Sequence, residues 1–151
     1  MFEADPQRTN HWLADQLNVV HSRFFTDIPV QNRLLVRFGR ITKTRLGSIT
    51  SRPRPLKGDR TARPVKSIIS LNGLLRDKRV PLTVIHAVLG HEFVHYTHGF
   101  HSPRPQLYRF PHQSGIVDHE LKKRGLTELL AAETAWTKEY FVPLYLEYHQ
   151  K

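Results

Sequence analysis

Cysteine is absent from the 151 residues, which removes disulfide frameworks, cysteine-ligated zinc, iron–sulfur clusters and thiol nucleophiles together. Any metal must therefore sit on histidine and carboxylate. No uninterrupted apolar run approaches the roughly 20 residues of a membrane-spanning helix. Residues 1–6, Met-Phe-Glu-Ala-Asp-Pro, carry neither the basic nor the apolar stretch of a secretion signal, so a cytoplasmic chain without membrane association is expected. Acid is scarce as well, with 13 Asp and Glu against 23 Lys and Arg and a net charge of +10. The imbalance is local: 14 of the cations fall in 33–79, where Asp59 and Asp77 are the only acids. Clustered cations gain affinity for phosphates by counterion release, so DNA or RNA is the expected partner of this segment, or a nucleoid-associated location. Arg52, Arg54, Lys57 and Arg60 are the candidate contacts; the alternative is a solvated loop.

The length suits a single domain, 1–151, with a basic strand-and-loop segment at 33–79 and a helical segment at 126–151. Leu13, Leu17, Val20 and Phe24 recur at helical spacing, and Asp5-Pro6 reads as a helix start, so a helix is expected over 6–25. Leu34, Val36 and Phe38 alternate with more polar neighbours as a strand does, and 46–50 is expected to pair with them across a turn at 42–45. Two prolines, a glycine and dense charge make 52–60 a loop. Strand character returns at 65–71, and a short helical turn is expected at 73–77. Pro81 then opens a helix whose apolar positions are Val84, Ile85, Val88 and Leu89, with Gly99 as its stop. Pro103, Pro105 and Pro111 make 100–115 irregular. Helices follow at 116–124 and from Thr127 as cap, with Pro143 expected to kink or end the last one. Trp12, Phe24, Phe25 and Trp136 fit apolar helix faces and are assigned to the core.

On the helix after Pro81 stand His91-Glu92-Phe93-Val94-His95. Residues four apart share a helix face, so both imidazoles can bind one Zn²⁺ while the carboxylate of Glu92 reaches its water. This composition yields the pattern by chance only about 0.03 times per chain. A catalytic zinc needs a third protein donor. His101 is the first choice, beyond the Gly99 stop where the chain can turn back; Glu120 and His98 are the rivals. The spacing to His101 matches metzincins, but these require a methionine turn, and the sole methionine is Met1. His86 lies off the ligand face and reads as a packing histidine. Asp118 is either a partner orienting a zinc-bound imidazole or a helix cap. Tyr96, Tyr108, Arg109 and His112 are open candidates for stabilising an oxyanion.

The better resemblance is to the SprT-like zinc metallopeptidases, with their YgjP and WLM relatives, the minigluzincins. It rests on His91-Glu92-Phe93-Val94-His95, on the turn His101-Ser102-Pro103, and on the strands preceding the helix, and it covers about 15–110. It implies a small α+β, zincin-like domain, with a short antiparallel or mixed sheet beside the zinc helix; the residue pattern adds the helices at both ends of the chain. The resemblance also implies His91, His95 and His101 as ligands, Glu92 as general base and a polypeptide as substrate, including one held on DNA. Two other classes remain open: a nucleic-acid-binding protein with a structural or inactive zinc site, and a metal-dependent hydrolase of a non-peptide substrate.

Overall fold

The computed structural model describes residues 7–54 and 64–150. In chain order these form α1 (Asn10–Phe24), β1 (Arg33–Phe38), β2 (Gly47–Arg52), β3 (Lys66–Leu71), a 3₁₀ turn (Gly73–Arg76), α2 (Leu82–Thr97), α3 (Ile116–Lys123), α4 (Thr127–Trp136) and α5 (Val142–His149). The architecture is α+β, as expected. Asp5 and Pro6 lie outside the described residues, and α1 begins later, where the Thr9 side chain accepts a hydrogen bond from the Trp12 N–H at 3.0 Å. Its buried stripe is Leu13, Leu17 and Val20.

The three-stranded sheet has the order β1-β3-β2, with β1 parallel and β2 antiparallel to β3. The expected hairpin between β1 and β2 does not form. Strand β3 carries the fully buried Ile69, together with buried Ser67, Ile68 and Leu71, and this apolar strand takes the central position. The connection from β1 to β2 is held instead by Asn72, whose Nδ2 donates to the carbonyls of Thr42 (2.8 Å) and Arg45 (2.9 Å).

Helix α2 is the axis of the molecule. Twelve of its residues are buried, including Val84, Ile85, Val88, Leu89, Phe93 and Val94, because α1, β2 and β3, α3 and α4 all pack against it. A helix buried nearly all round has no solvated face on which polar residues sit without cause, yet it carries Glu92 and His95 in its interior. His86 is a packing residue, its Nε2 lying 2.8 Å from Gln16 Oε1 on α1. Phe25 and Trp136 are buried, and Trp12 and Phe24 pack against the same core.

Beyond α4 the chain does not break. It continues through a π-helical segment, Thr137–Phe141, into α5, with Pro143 in the first turn of α5. Proline supplies no N–H to the helical ladder, and the change of hydrogen-bond register in the π-helical segment lies directly ahead of it.

Candidate metal centre

His91, His95 and His112 each bring one ring nitrogen to a common point, all three within 4.8 Å of one another. The first two arrive by the four-residue helical spacing, with ring centroids 4.9 Å apart. His112 comes from the irregular segment after α2, its ring 4.6 Å from that of His95 and its Nε2 3.4 Å from Nε2 of His91. Two imidazole nitrogens on one tetrahedral zinc, each at about 2.05 Å, stand roughly 3.3 Å apart. The observed separation is close to that value and sits at the long end of the hydrogen-bond range.

Burial holds the His91 ring well below the ordinary histidine range, to about 4, with His112 adding to the shift and Asp118 opposing it. Burial likewise takes His95 down to about 3, reinforced by the neighbouring imidazoles. Both rings are therefore neutral at pH 7 with lone pairs available, the state a metal requires. Among the described residues, Nδ1 of His95 is buried without a hydrogen-bond partner. A set of three imidazoles suits zinc and other borderline divalent ions.

Glu92 is 5 % exposed, and burial pushes its carboxyl up to about 8 against the pull of Arg45. Strand β2 reaches it because residue 47 is glycine: a Cβ there would stand 2.9 Å from Val88 Cγ1 and 3.1 Å from Glu92 Oε1. Arg45, Leu46, Gly47, Ser48 and Ile49 consequently form one side of a cleft of about 630 Å³, whose other lining includes His91, Glu92, His95, His101 and His112.

His101 lies in this cleft but outside the group of three. Its backbone is left-handed, with φ 54°, and its Nδ1 is 2.9 Å from Ser51 Oγ on β2. The hydroxyl of Ser67 on β3 donates to its carbonyl. Both serines are fully buried, so the sheet fixes this residue from two strands. The turn before it depends on Gly99, at φ +86°, where a Cβ would lie 2.2 Å from the Pro105 carbonyl oxygen. Ser102 Oγ donates to the Tyr96 carbonyl, which also accepts from the Gly99 N–H, and Arg104 Nε donates to the Thr97 carbonyl at the end of α2.

The other two candidate ligands are engaged elsewhere. His98 Nε2 lies 3.2 Å from Glu120 Oε1, Glu120 Oε2 accepts from Arg124 Nε at 2.8 Å, and Arg124 bridges to Asp27 at 2.7 Å. Burial opposes ionisation of Glu120, but the bonds from His98 and Arg124 outweigh it and hold the carboxyl below its usual range. Asp27 is lowered chiefly by Arg124. Replacing Arg124 by methionine should cost about 2 kcal/mol at pH 7, measured by urea unfolding, because it strands a half-buried carboxylate and the Phe24 carbonyl. Depressed native carboxyl pKa values stabilise above the unfolded value of about 4 and cease to do so as pH falls through the native ones. The deficit of the variant should therefore shrink below about pH 4.

Of the four candidate oxyanion partners, His112 alone lines the cleft. Tyr96 donates to Asn32 Oδ1 at 2.7 Å, Tyr108 packs edge-on against His98, and Arg109 sits over the Phe110 ring. Asp118 is in the first turn of α3 and influences His91 through its charge. Arg52 and Arg54 are exposed, while Lys57 and Arg60 lie outside the described residues. No helix among the described residues is long and apolar enough to cross a membrane.

Comparison of the chain with protein-family models, with curated proteins and with solved structures finds no match in any of the three.

Proposed function

We propose that this chain is a zinc-dependent metallopeptidase. The observation that carries the reading is the placement of a buried carboxylate, Glu92, in the same cleft as three clustered imidazoles and beside the edge strand of the sheet. His91, His95 and His112 would hold the ion in the arrangement described, with His101 beside them. When bound, zinc lowers the pKa of a coordinated water toward about 7 and polarises a carbonyl oxygen.

The remaining work falls to the protein's own groups. A Glu92 carboxylate oxygen accepts the proton of the attacking water and delivers it to the nitrogen of the departing amine. Burial raises the proton affinity of this carboxyl to about 8, and the positive charge of a bound ion would counter that shift and favour the ionised form that acts as base. Among the described residues strand β2 pairs with β3 alone, so its other edge offers main-chain N–H and C=O groups to an extended peptide. That edge favours a polypeptide over a small ester or a nucleotide as the substrate. On the basic segment, Arg33, Arg37, Arg52 and Arg54 are exposed, and the proposal includes substrates held on nucleic acid, drawn in by phosphate attraction.

The test is direct. Zinc-loaded protein should cleave an unfolded polypeptide, lose that activity to a chelator and regain it with added zinc. Cleavage of a DNA-bound basic protein should be stimulated by single-stranded DNA at low salt, with the stimulation fading as salt rises. Zinc-loaded protein that cleaves nothing sinks the peptidase reading, and cleavage indifferent to DNA at every salt concentration removes nucleic acid from it.

A further inference from the structure

The α4 side of the cleft carries two polar groups that the chemistry above does not use. Glu133 and Thr137, one on α4 and the other at the start of the π-helical segment, line the same cleft as His91, Glu92 and His95. Among the described residues Glu133 has no ion pair: the carboxylates that meet cations are Asp15, Asp27, Asp77, Glu120 and Glu147. Its hydrogen-bonding neighbour is Thr134, while burial and the charge of Asp118 both act against ionisation. Thr137 Oγ1 is buried and has no hydrogen-bond partner among the described residues. In a regular helix a threonine hydroxyl commonly bonds the carbonyl one turn back. Here the register changes at Thr137 and the hydroxyl is left without that bond.

Two cleft groups that both accept hydrogen bonds, one of them a half-buried carboxylate without a cation, call for the same thing: a positively charged donor with more than one N–H. A carboxylate or phosphate could accept from the Thr137 hydroxyl but would be repelled by the Glu133 carboxylate, and an apolar side chain would leave both groups without a partner. Arg45, the cation lining the cleft, lies on the β2 side, where its charge acts on Glu92.

Resting on the peptidase reading, we propose that Glu133 and Thr137 form a specificity subsite for a cationic nitrogen group of the substrate, foremost the guanidinium of arginine, whose planar fork can meet a carboxylate and a second acceptor together. The α-ammonium of a peptide N-terminus presents the same chemistry, and the experiment separates the two.

Zinc-loaded Glu92→Gln protein, which retains the cleft without turnover, is titrated by fluorescence anisotropy with C-terminally labelled hexapeptides. One arginine is moved through the sequence, each peptide is matched by its neutral citrulline counterpart, and both series are made with free and acetylated N-termini. Arginine at one position should bind about tenfold tighter than citrulline. Adding Glu133→Gln should bring that ratio to about one, and Thr137→Val should reduce it, with zinc content unchanged in both. A preference that follows the free N-terminus instead assigns the subsite to the α-ammonium. Peptides that bind, with arginine and citrulline equal at every position and no preference for a free N-terminus, overturn the subsite and leave the peptidase reading standing. Failure of every peptide to bind overturns both.

Discussion

Glutamine in place of Glu92 is expected to reduce peptide hydrolysis by about a thousandfold while zinc content stays at the wild-type value. The substitution keeps the shape of the side chain, so the close approach of β2 at Gly47 is undisturbed. What it removes is the basic oxygen that receives the proton, since an amide is not a base at neutral pH. The comparison has to be made at matched zinc occupancy, with kcat and KM measured separately. A fall in kcat with little change in KM is the signature of a group that acts in the transition state. Without metal the variant should be about as stable as the parent at pH 7, because a carboxyl raised to about 8 is, like the amide, largely uncharged in a site that is 5 % exposed. Undiminished turnover would remove Glu92 from the mechanism.

The second large effect concerns the metal. Alanine at His91 or His95 should weaken zinc binding by at least about a hundredfold, the upper end of what losing an outer partner of a ligand costs. The third position separates two residues. The 3.4 Å spacing between His91 and His112 nitrogens leads us to expect a loss of similar size for His112→Ala, and less than about tenfold for His101→Ala, whose Nδ1 is already engaged by Ser51. Competition with a chromophoric chelator measures all four. The opposite order for the last two would give the third coordination position to His101, as the resemblance to SprT-like enzymes implies. Retention of zinc by the His91 and His95 variants alike would remove the centre altogether.

Local pattern carried much of this far. The apolar spacing of Val84, Ile85, Val88 and Leu89 was enough to place α2, and the motif on it, because helical periodicity is written within a few turns. Gly99 as the stop follows from a backbone angle that other residues rarely adopt. Strand order was another matter. Leu34 and Ile49 each look ready for a partner, but which strand lies between them is decided by the burial of Ile69, a contact distant in sequence. The same limit applies to the site. His112 stands after three prolines in a segment without periodicity, so no spacing rule announces that its ring returns to α2. Ser51 and Ser67 are small polar residues in strands, indistinguishable in sequence from solvent-facing ones until their shared neighbour His101 is placed. Pro143 reads as a break because proline has no N–H for the helical ladder, and that the chain continues through a π-helical segment ahead of it shows only in three dimensions.

That continuation constrains how the chain can change length. The π turn at Thr137–Phe141 sets the angular phase between α4, which faces the cleft through Glu133, and α5, which is tied to the far side of the molecule where Glu147 meets Arg79 and Tyr148 meets Asp77. Each residue of a helix advances the face by about 100°. A π turn takes up one residue more than an α turn while keeping the flanking faces in phase, so loss of one residue there would restore regular α-helix with both sets of contacts in place, whereas a further gain would swing one face away from them. In a family of such chains this stretch should vary in length only by that one residue, with other insertions and deletions confined to the loops on either side.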